Sequence, residues 1–398
     1  MSDKLAYALI TPYSLLKSRT GGIIGRLLFL TDLEFVGARM YQPSDELVDR
    51  YIETIRAQKI EKPVEDLFVN YVNDFFRRDN RIGISNRTLL LLLKGENAVE
   101  KLRRVVGSVS RQVQGDTVRG TYGDYLEGPD GKVEFFEPAV LMGSDASSTL
   151  RQLKILAEFA ESDGGIIEDA VKFPPESRPE TTLAIIKPDA FERRSLRPGN
   201  IIDVFSKTGL YIVGVKLLRL SVAQAEEFYA PLKDMFVERL KGNVAANLKE
   251  SLDGAFDFAI SDDQYRKMAE ILKHENARCE FNKIVEYMSG RSEDTLEYPE
   301  QRDEPGTERA LGLLYRGVDA IRKIRERLGS TDPREAAEGT VRSDFGFDLM
   351  KNGAHASDSL ENAERERKIV GLWPGYEKPD VKFVIEGYLS GLPSEILK

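Results

Sequence analysis

Short apolar runs alternate with polar-faced stretches along the whole chain. "LAYALITPYSLL" (5–16) and "TLAIIKPDAFER" (182–193) read as apolar strands running into a proline, which disfavours helix just before it. Behind each comes a segment that reads as amphipathic helix, turn and strand: "GGIIGRLLFLTDLEFVGARM" (21–40) and "GNIIDVFSKTGLYIVGVKLLRLS" (199–221). Polar-faced helices follow, "DELVDRY" ending at Tyr51 and "AQAEEFY" ending at Tyr229. The densest apolar run, "TLLLLLKG" (88–95), has the length of a buried strand and is far short of a membrane span. Later, "GDTVRGTYGDY" (115–125) answers "EGTVRSDFGFD" (338–348), and "GSDAS" (143–147) answers "ASDS" (356–359). The chain is therefore a tandem repeat.

The offset between copies is 176 at Thr11/Lys187, 223 at Arg119/Arg342 and 213 at Ser144/Ser357. The second copy thus carries 47 extra residues in its middle (223 less 176), and the first has ten extra (223 less 213) between its arginine and its Ser-Asp. That shorter insertion contains "EGPDGKVEFF", whose Pro-Asp-Gly predicts a small hairpin. The helical pattern "SSTLRQLKILAEFAES" closes copy one, and the Pro-rich "KFPPESRPE" (172–180) reads as a linker. Domains are expected at 1–171 and 181–398, with insertions in the second at about 235–281 and 290–308. Strand and helix alternate in the order expected of an α+β fold. This predicts two ferredoxin-like (βαββαβ) domains with antiparallel sheets and helical insertions in each.

Composition narrows the function classes. The net charge of −9 and the lack of basic-aromatic clustering argue against nucleic acid as a partner, while local arginines can still cradle phosphates. A single cysteine, Cys279, excludes an internal disulfide or a cysteine-based zinc site and suits a reducing compartment. With neither a membrane span nor a secretory pattern, the expected location is the cytoplasm. There is no P-loop, G-x-G-x-x-G, G-x-S-x-G or H-E-x-x-H, and the two histidines stand 81 residues apart, so no histidine-based metal cage is expected.

One of those histidines, His355, lies in "KNGAHASDS" (351–359) between Ala354 and Ala356, small neighbours that leave room for a bulky charged group. A neutral imidazole is a good nucleophile near pH 7. "RKIRERLGSTDP" (322–333) and Arg342 supply guanidinium groups, whose planar donors match phosphate oxygens. On the residues alone, a buried structural histidine among solvated charges is the competing reading. His274, in "ILKHENARCEF", has no motif around it and reads as a surface helix residue.

"TLAIIKPDAF", "AEEFY", "GSTDPREAAEGTVRSDFG" and "NGAHASDSLENAERE", in that order, closely resemble the nucleoside diphosphate kinase family over nearly all of 181–370. The resemblance implies that His355 takes the γ-phosphate of ATP and passes it to a nucleoside diphosphate by a ping-pong mechanism. It implies that Lys187 touches the transferring phosphate and the ribose, and that Tyr229 helps to position the histidine. Arg325, Thr331 and Arg342 would bind the phosphate chain and Asn352 the sugar. Glu366 would orient the imidazole, with Ser357 in the same pocket. Mg2+ would enter bound to the nucleotide phosphates. Phe236 and Phe281 are candidates for the aromatic that clamps the base.

Copy one keeps the frame and lacks the chemistry. Thr11 stands for Lys187, Ala139 for Asn352 and Met142 for His355, while Tyr51, Arg103 and Arg119 persist. It reads as a degenerate domain that packs internally on copy two, in the manner of a family dimer; a homo-oligomer of the whole chain is compatible with that. The tail from 371 is expected to pack on a neighbouring domain through Trp373. The alternative to an active kinase is a regulatory or scaffold protein whose insertions occlude the nucleotide site.

Overall fold

The computed structural model describes residues 4–80, 82–109, 115–239 and 241–392; Leu240 of the expected insertion and the last six residues of the tail lie outside them. In the N-terminal half the chain runs β1 (Lys4–Ile10), α1 (Pro12–Leu16), α2 (Thr20–Leu30), β2 (Glu34–Tyr41), α3 (Asp45–Arg56), α4 (Lys62–Phe75), β3 (Thr88–Gly95), α5 (Ala98–Val106) and α6 (Val118–Tyr122). The expected hairpin follows as β4 (Asp124–Glu127) and β5 (Val133–Glu137), and the half ends with β6 (Val140–Leu141) and α7 (Ala146–Glu158). The C-terminal half begins with β7 (Pro179–Ile186), α8 (Arg197–Ser206) and β8 (Tyr211–Leu218). Three helices come next, α9 (Val222–Arg239), α10 (Lys241–Leu252) and α11 (Asp262–Ser289). The chain finishes with β9 (Ala310–Val318), α12 (Ala320–Leu328), α13 (Val341–Phe345), β10 (Ala354–Ala356), α14 (Leu360–Ile369) and α15 (Asp380–Ser390).

Each half builds a four-stranded sheet in the same order, β2-β3-β1-β6 and β10-β7-β9-β8, by antiparallel pairing. In both, the first and third strands are central and the last is a short edge, the ferredoxin-like α+β arrangement. The middles of the central strands are continuous apolar runs, such as 5–10, 89–93 and 183–186, because both faces are covered. Among the described residues no helix is long and apolar enough to cross a membrane.

Residues 218–310 form a compact unit of their own, and the remainder of the chain, with both sheets, forms the other. The helical unit begins earlier than the expected insertion at 235, because α9 continues unbroken through Pro231 and carries Tyr229 with it. Its longest helix, α11, starts at a capping box of Ser261 and Gln264 and ends at Gly290, whose φ of 84° only glycine adopts freely. Both unabsorbed residues of the sequence, His274 and Cys279, are exposed on α11.

Within the two-sheet unit the halves share one core. Ala8, Ile10, Ile23 and Ile24 of the first join Ile186, Ile201, Ile202 and Phe205 of the second in a single buried cluster. Helices α2 and α8 meet backbone to backbone: a Cβ on Gly199 would lie 2.2 Å from the Gly21 carbonyl oxygen and 2.7 Å from the Gly25 Cα. The opposite face of the first sheet, with Tyr7, Leu9 and Leu92, is covered by α3, α4, α7 and also by Val381 and Ile385 of α15. The tail therefore does cross to the first half, but not through Trp373. That ring lies under Arg367 (4.7 Å) and Lys368 of its own α14, and the apolar face of α15 makes the crossing contact.

Candidate active site

His355 sits on β10, the edge strand, opposite Ile185 of β7. Side chains alternate across a strand. Ala354 and Ala356 face the shared core, at 0% and 3% exposure, and so aim His355 to the other side. The small neighbours therefore fit into the core on the face opposite the ring. The strand is preceded by Gly353 at φ 82°, whose carbonyl accepts the Lys187 N–H at 3.0 Å. The turn thereby locks β10 to the end of β7, where Lys187 begins the next loop.

Helix α14 starts directly after the strand, capped by Ser359. It returns Glu366, 5% exposed, to the histidine: Nε2 and the Glu366 Oε2 are 2.9 Å apart. The Ser357 hydroxyl donates to the same oxygen at 2.7 Å. Burial pushes the Glu366 carboxyl up, but the charge and hydrogen bond of His355 and the bond from Ser357 prevail and hold it below the ordinary carboxylate range. An ionised Glu366 keeps the imidazole proton on Nε2 and leaves the ring lone pair on Nδ1.

A second set of side chains meets in the loop just before β10. Lys187 Nζ donates to the Met350 carbonyl at 2.6 Å and to Asn352 Oδ1 at 3.0 Å. Asn352 in turn donates to the carbonyls of Thr331 (3.1 Å) and Leu349 (3.0 Å). Arg342 reaches the Gly329 carbonyl (3.1 Å) and the Thr331 hydroxyl (3.4 Å). Burial, aided by the Arg342 charge against the pull of Asp189, brings the Lys187 ammonium down to about 8. Arg325, exposed on the last turn of α12, lines a groove of about 580 Å³ with Asp358 and Ser359. Of the nine expected residues, seven therefore fall into two hydrogen-bonded groups at the two ends of one short segment, 350–357. Arg325 stands on the neighbouring helix, and Tyr229 belongs to the helical unit, packed edge-on against Phe228 at 5.0 Å. There too, Phe281 is buried beneath Lys233, and Phe236 is half-buried.

The first half repeats this frame with its chemistry removed, one residue out of step with the text match. Val140 and Leu141 pair with Ile10 and Leu9 as Ala354 and His355 pair with Ile186 and Ile185. The Thr11 N–H bonds to Ala139 as the Lys187 N–H bonds to Gly353, and Ala139 has the matching φ of 60°. Leu141, not Met142, therefore replaces His355, and Pro138, not Ala139, replaces Asn352. The match of "GSDAS" to "ASDS" misled because Asp145 caps α7 where Ser359, not Asp358, caps α14. Gln152 stands for Glu366 and is taken up by Tyr7, whose hydroxyl also meets Tyr51. Thr11 and Ser14 bond to Glu137, a carboxyl that burial pushes up; sequence patterning gave no sign of this buried acid.

The family model for nucleoside diphosphate kinase matches residues 180–245 and 306–370, the first stretch reaching through α9 into α10. A nucleoside diphosphate kinase of Desulfatibacillum aliphaticivorans is 32% identical over 187 residues, covering 47% of this chain and 91% of that protein. One from Halorhodospira halophila is 31% identical over 187 residues, covering 47% and 89%. Among solved structures, the Aquifex aeolicus nucleoside diphosphate kinase in an orthorhombic crystal form aligns with a TM-score of 0.32 and 28% identity over 50% of this chain and 99% of that one.

Proposed function

The chain belongs to the nucleoside diphosphate kinase family, and from that premise we propose that its C-terminal half moves the γ-phosphate of ATP onto nucleoside diphosphates through His355. The observation that carries this reading is the 2.9 Å contact between Glu366 Oε2 and His355 Nε2, which occupies that nitrogen and leaves Nδ1 for nucleophilic attack. In the first half-reaction the Nδ1–P bond forms, the bond from phosphorus to the β,γ-bridging oxygen breaks, and its electron pair leaves with ADP. In the second, a terminal oxygen of an incoming diphosphate attacks the same phosphorus and the ring recovers its lone pair. Glu366 holds the Nε2 proton throughout and offsets the positive charge that the ring gains.

Lys187, Arg342 and Arg325 balance the phosphate charge, which is the main protein contribution to phosphoryl transfer. Asn352 fixes Lys187 and contacts the sugar, Thr331 holds Arg342 and Asn352 in register, and Ser357 steadies Glu366. Donors around His355 are cations and amides, a set that fits a metal arriving on the nucleotide's own phosphates. Mg2+ so carried would neutralise β- and γ-oxygen charge. The direct test incubates the full chain with γ-labelled ATP and magnesium, removes nucleotide and adds GDP. Acid-labile label on the protein should move into GTP; label that stays on the protein would overturn turnover and point to the regulatory reading.

A lysine near 8 makes nucleotide affinity pH-dependent. The charged form binds phosphate, so binding is full well below pH 8 and falls as pH rises through 8 and the free protein loses that proton. ADP affinity of the wild type should drop by up to about tenfold per pH unit above 8, with proton uptake on binding between pH 8 and 9 in calorimetry. In Lys187→Arg the drop should vanish. A flat wild-type profile to pH 9.5 would contradict the assignment.

A further inference from the structure

The first half lost its nucleophile selectively. Lys187, Asn352, His355 and Glu366 are replaced by Thr11, Pro138, Leu141 and Gln152, yet the cationic part of the frame stays. Arg119 donates to the Gly107 carbonyl at 2.7 Å as Arg342 donates to that of Gly329, and both glycines end their helices at φ 87°. These residues face an open cleft of about 830 Å³ between α4, α5 and the start of α7. Lys59, Arg103 and Arg104 line it from the rim, all exposed, and among the described residues no carboxylate pairs with any of them. The lining also carries two acids, Glu100 and Asp145, the latter capping α7 through the Ser148 N–H at 2.8 Å, so four cations face two carboxylates. Opposite the arginines, Val64 and Phe68 of α4 form an apolar wall, with Phe68 stacked over the Arg119 guanidinium at 5.2 Å.

We propose that this cleft is a second, non-catalytic binding site for a di- or triphosphate anion. Like charges concentrated in a concave, low-dielectric surface repel one another and attract a polyanion. Planar guanidinium groups suit phosphate oxygens, and the Phe68 wall suits the flat ring of a nucleoside carried on the same anion. Leu141 cannot accept a phosphoryl group, so a ligand held here is not consumed. The inference does not depend on phosphotransfer in the other half.

Equilibrium binding of labelled ADP with magnesium to the full chain tests it. The wild type should bind two ADP per chain, Arg103→Glu/Arg104→Glu one, and Arg342→Glu also one, its remaining site being the N-terminal cleft. Lys59→Glu, on an exposed loop where misfolding is no concern, should weaken the same cleft at least threefold. Should the C-terminal half bind nothing, the wild type would show one site, lost in Arg103→Glu/Arg104→Glu and kept in Arg342→Glu, so the two proposals fail separately. Competition by inorganic triphosphate identifies the anion's carrier. Displacement matching unlabelled ATP means that phosphates alone are read, and weaker displacement means that Phe68 reads the nucleoside; both uphold the site. Unchanged stoichiometry and affinities in Arg103→Glu/Arg104→Glu and Lys59→Glu would overturn it.

Discussion

Replacement of His355 by alanine is expected to lower γ-phosphate transfer on the order of 10⁴-fold or more, because a covalent nucleophile has no substitute in its site. Lys187, Asn352 and Arg342 remain hydrogen-bonded among themselves without it, so ADP affinity should stay within about threefold of the wild type. Glu366→Gln should fall between the two. The amide keeps the shape but can no longer fix the ring proton on Nε2 or stabilise a charged ring, a loss of roughly 10²-fold in turnover. Steady-state transfer from ATP to a diphosphate, measured beside ADP binding, separates these effects. Equal losses of binding and turnover in His355→Ala would show that the histidine is a structural part of the pocket.

The second large effect is on stability. Gly199→Ala adds one methyl group that would lie 2.2 Å from the Gly21 carbonyl oxygen and 2.7 Å from the Gly25 Cα, and backbone atoms cannot rotate away. Helices α2 and α8 would have to separate, loosening the core shared by both halves. A cost of about 2–3 kcal/mol is expected, typical of overpacking, or roughly 4–12 °C in Tm for a domain of this size. Gly25→Ala, in the same crossing, meets nothing closer than 3.4 Å and improves helix propensity, so it should be neutral or slightly stabilising. If Gly199→Ala melts with the wild type, the helices are not in the backbone contact described.

Much of this architecture is legible because repeats constrain each other. The two apolar strands ending at Pro12 and Pro188, the run at 88–95 and the Pro-Asp-Gly hairpin became elements where patterning placed them, since each is decided by local alternation or turn chemistry. Lys187, Arg342, Asn352, His355 and Glu366 form one set in the sequence only through the order of their motifs, which resembles the family's; local patterning alone leaves a structural histidine among solvated charges as the competing reading. What escaped depends on long-range packing or on register. The Leu141/His355 equivalence is set by strand pairing and differs by one residue from the motif match. Amphipathic α15 had no partner readable from its own sequence; Val381 and Ile385 find theirs some 340 residues upstream, on β2 and its neighbours. Gly199 reads locally as a poor helix residue, and only the crossing with α2 explains it.

The most direct measurement locates the phosphate itself. The protein is phosphorylated with ATP, digested under alkaline conditions and read by mass spectrometry for the residue and by phosphorus–nitrogen NMR coupling for the ring atom. One phosphate per chain on Nδ1 of His355 is the predicted result. Phosphate on Nε2, on a serine, or on any residue before 172 would contradict it.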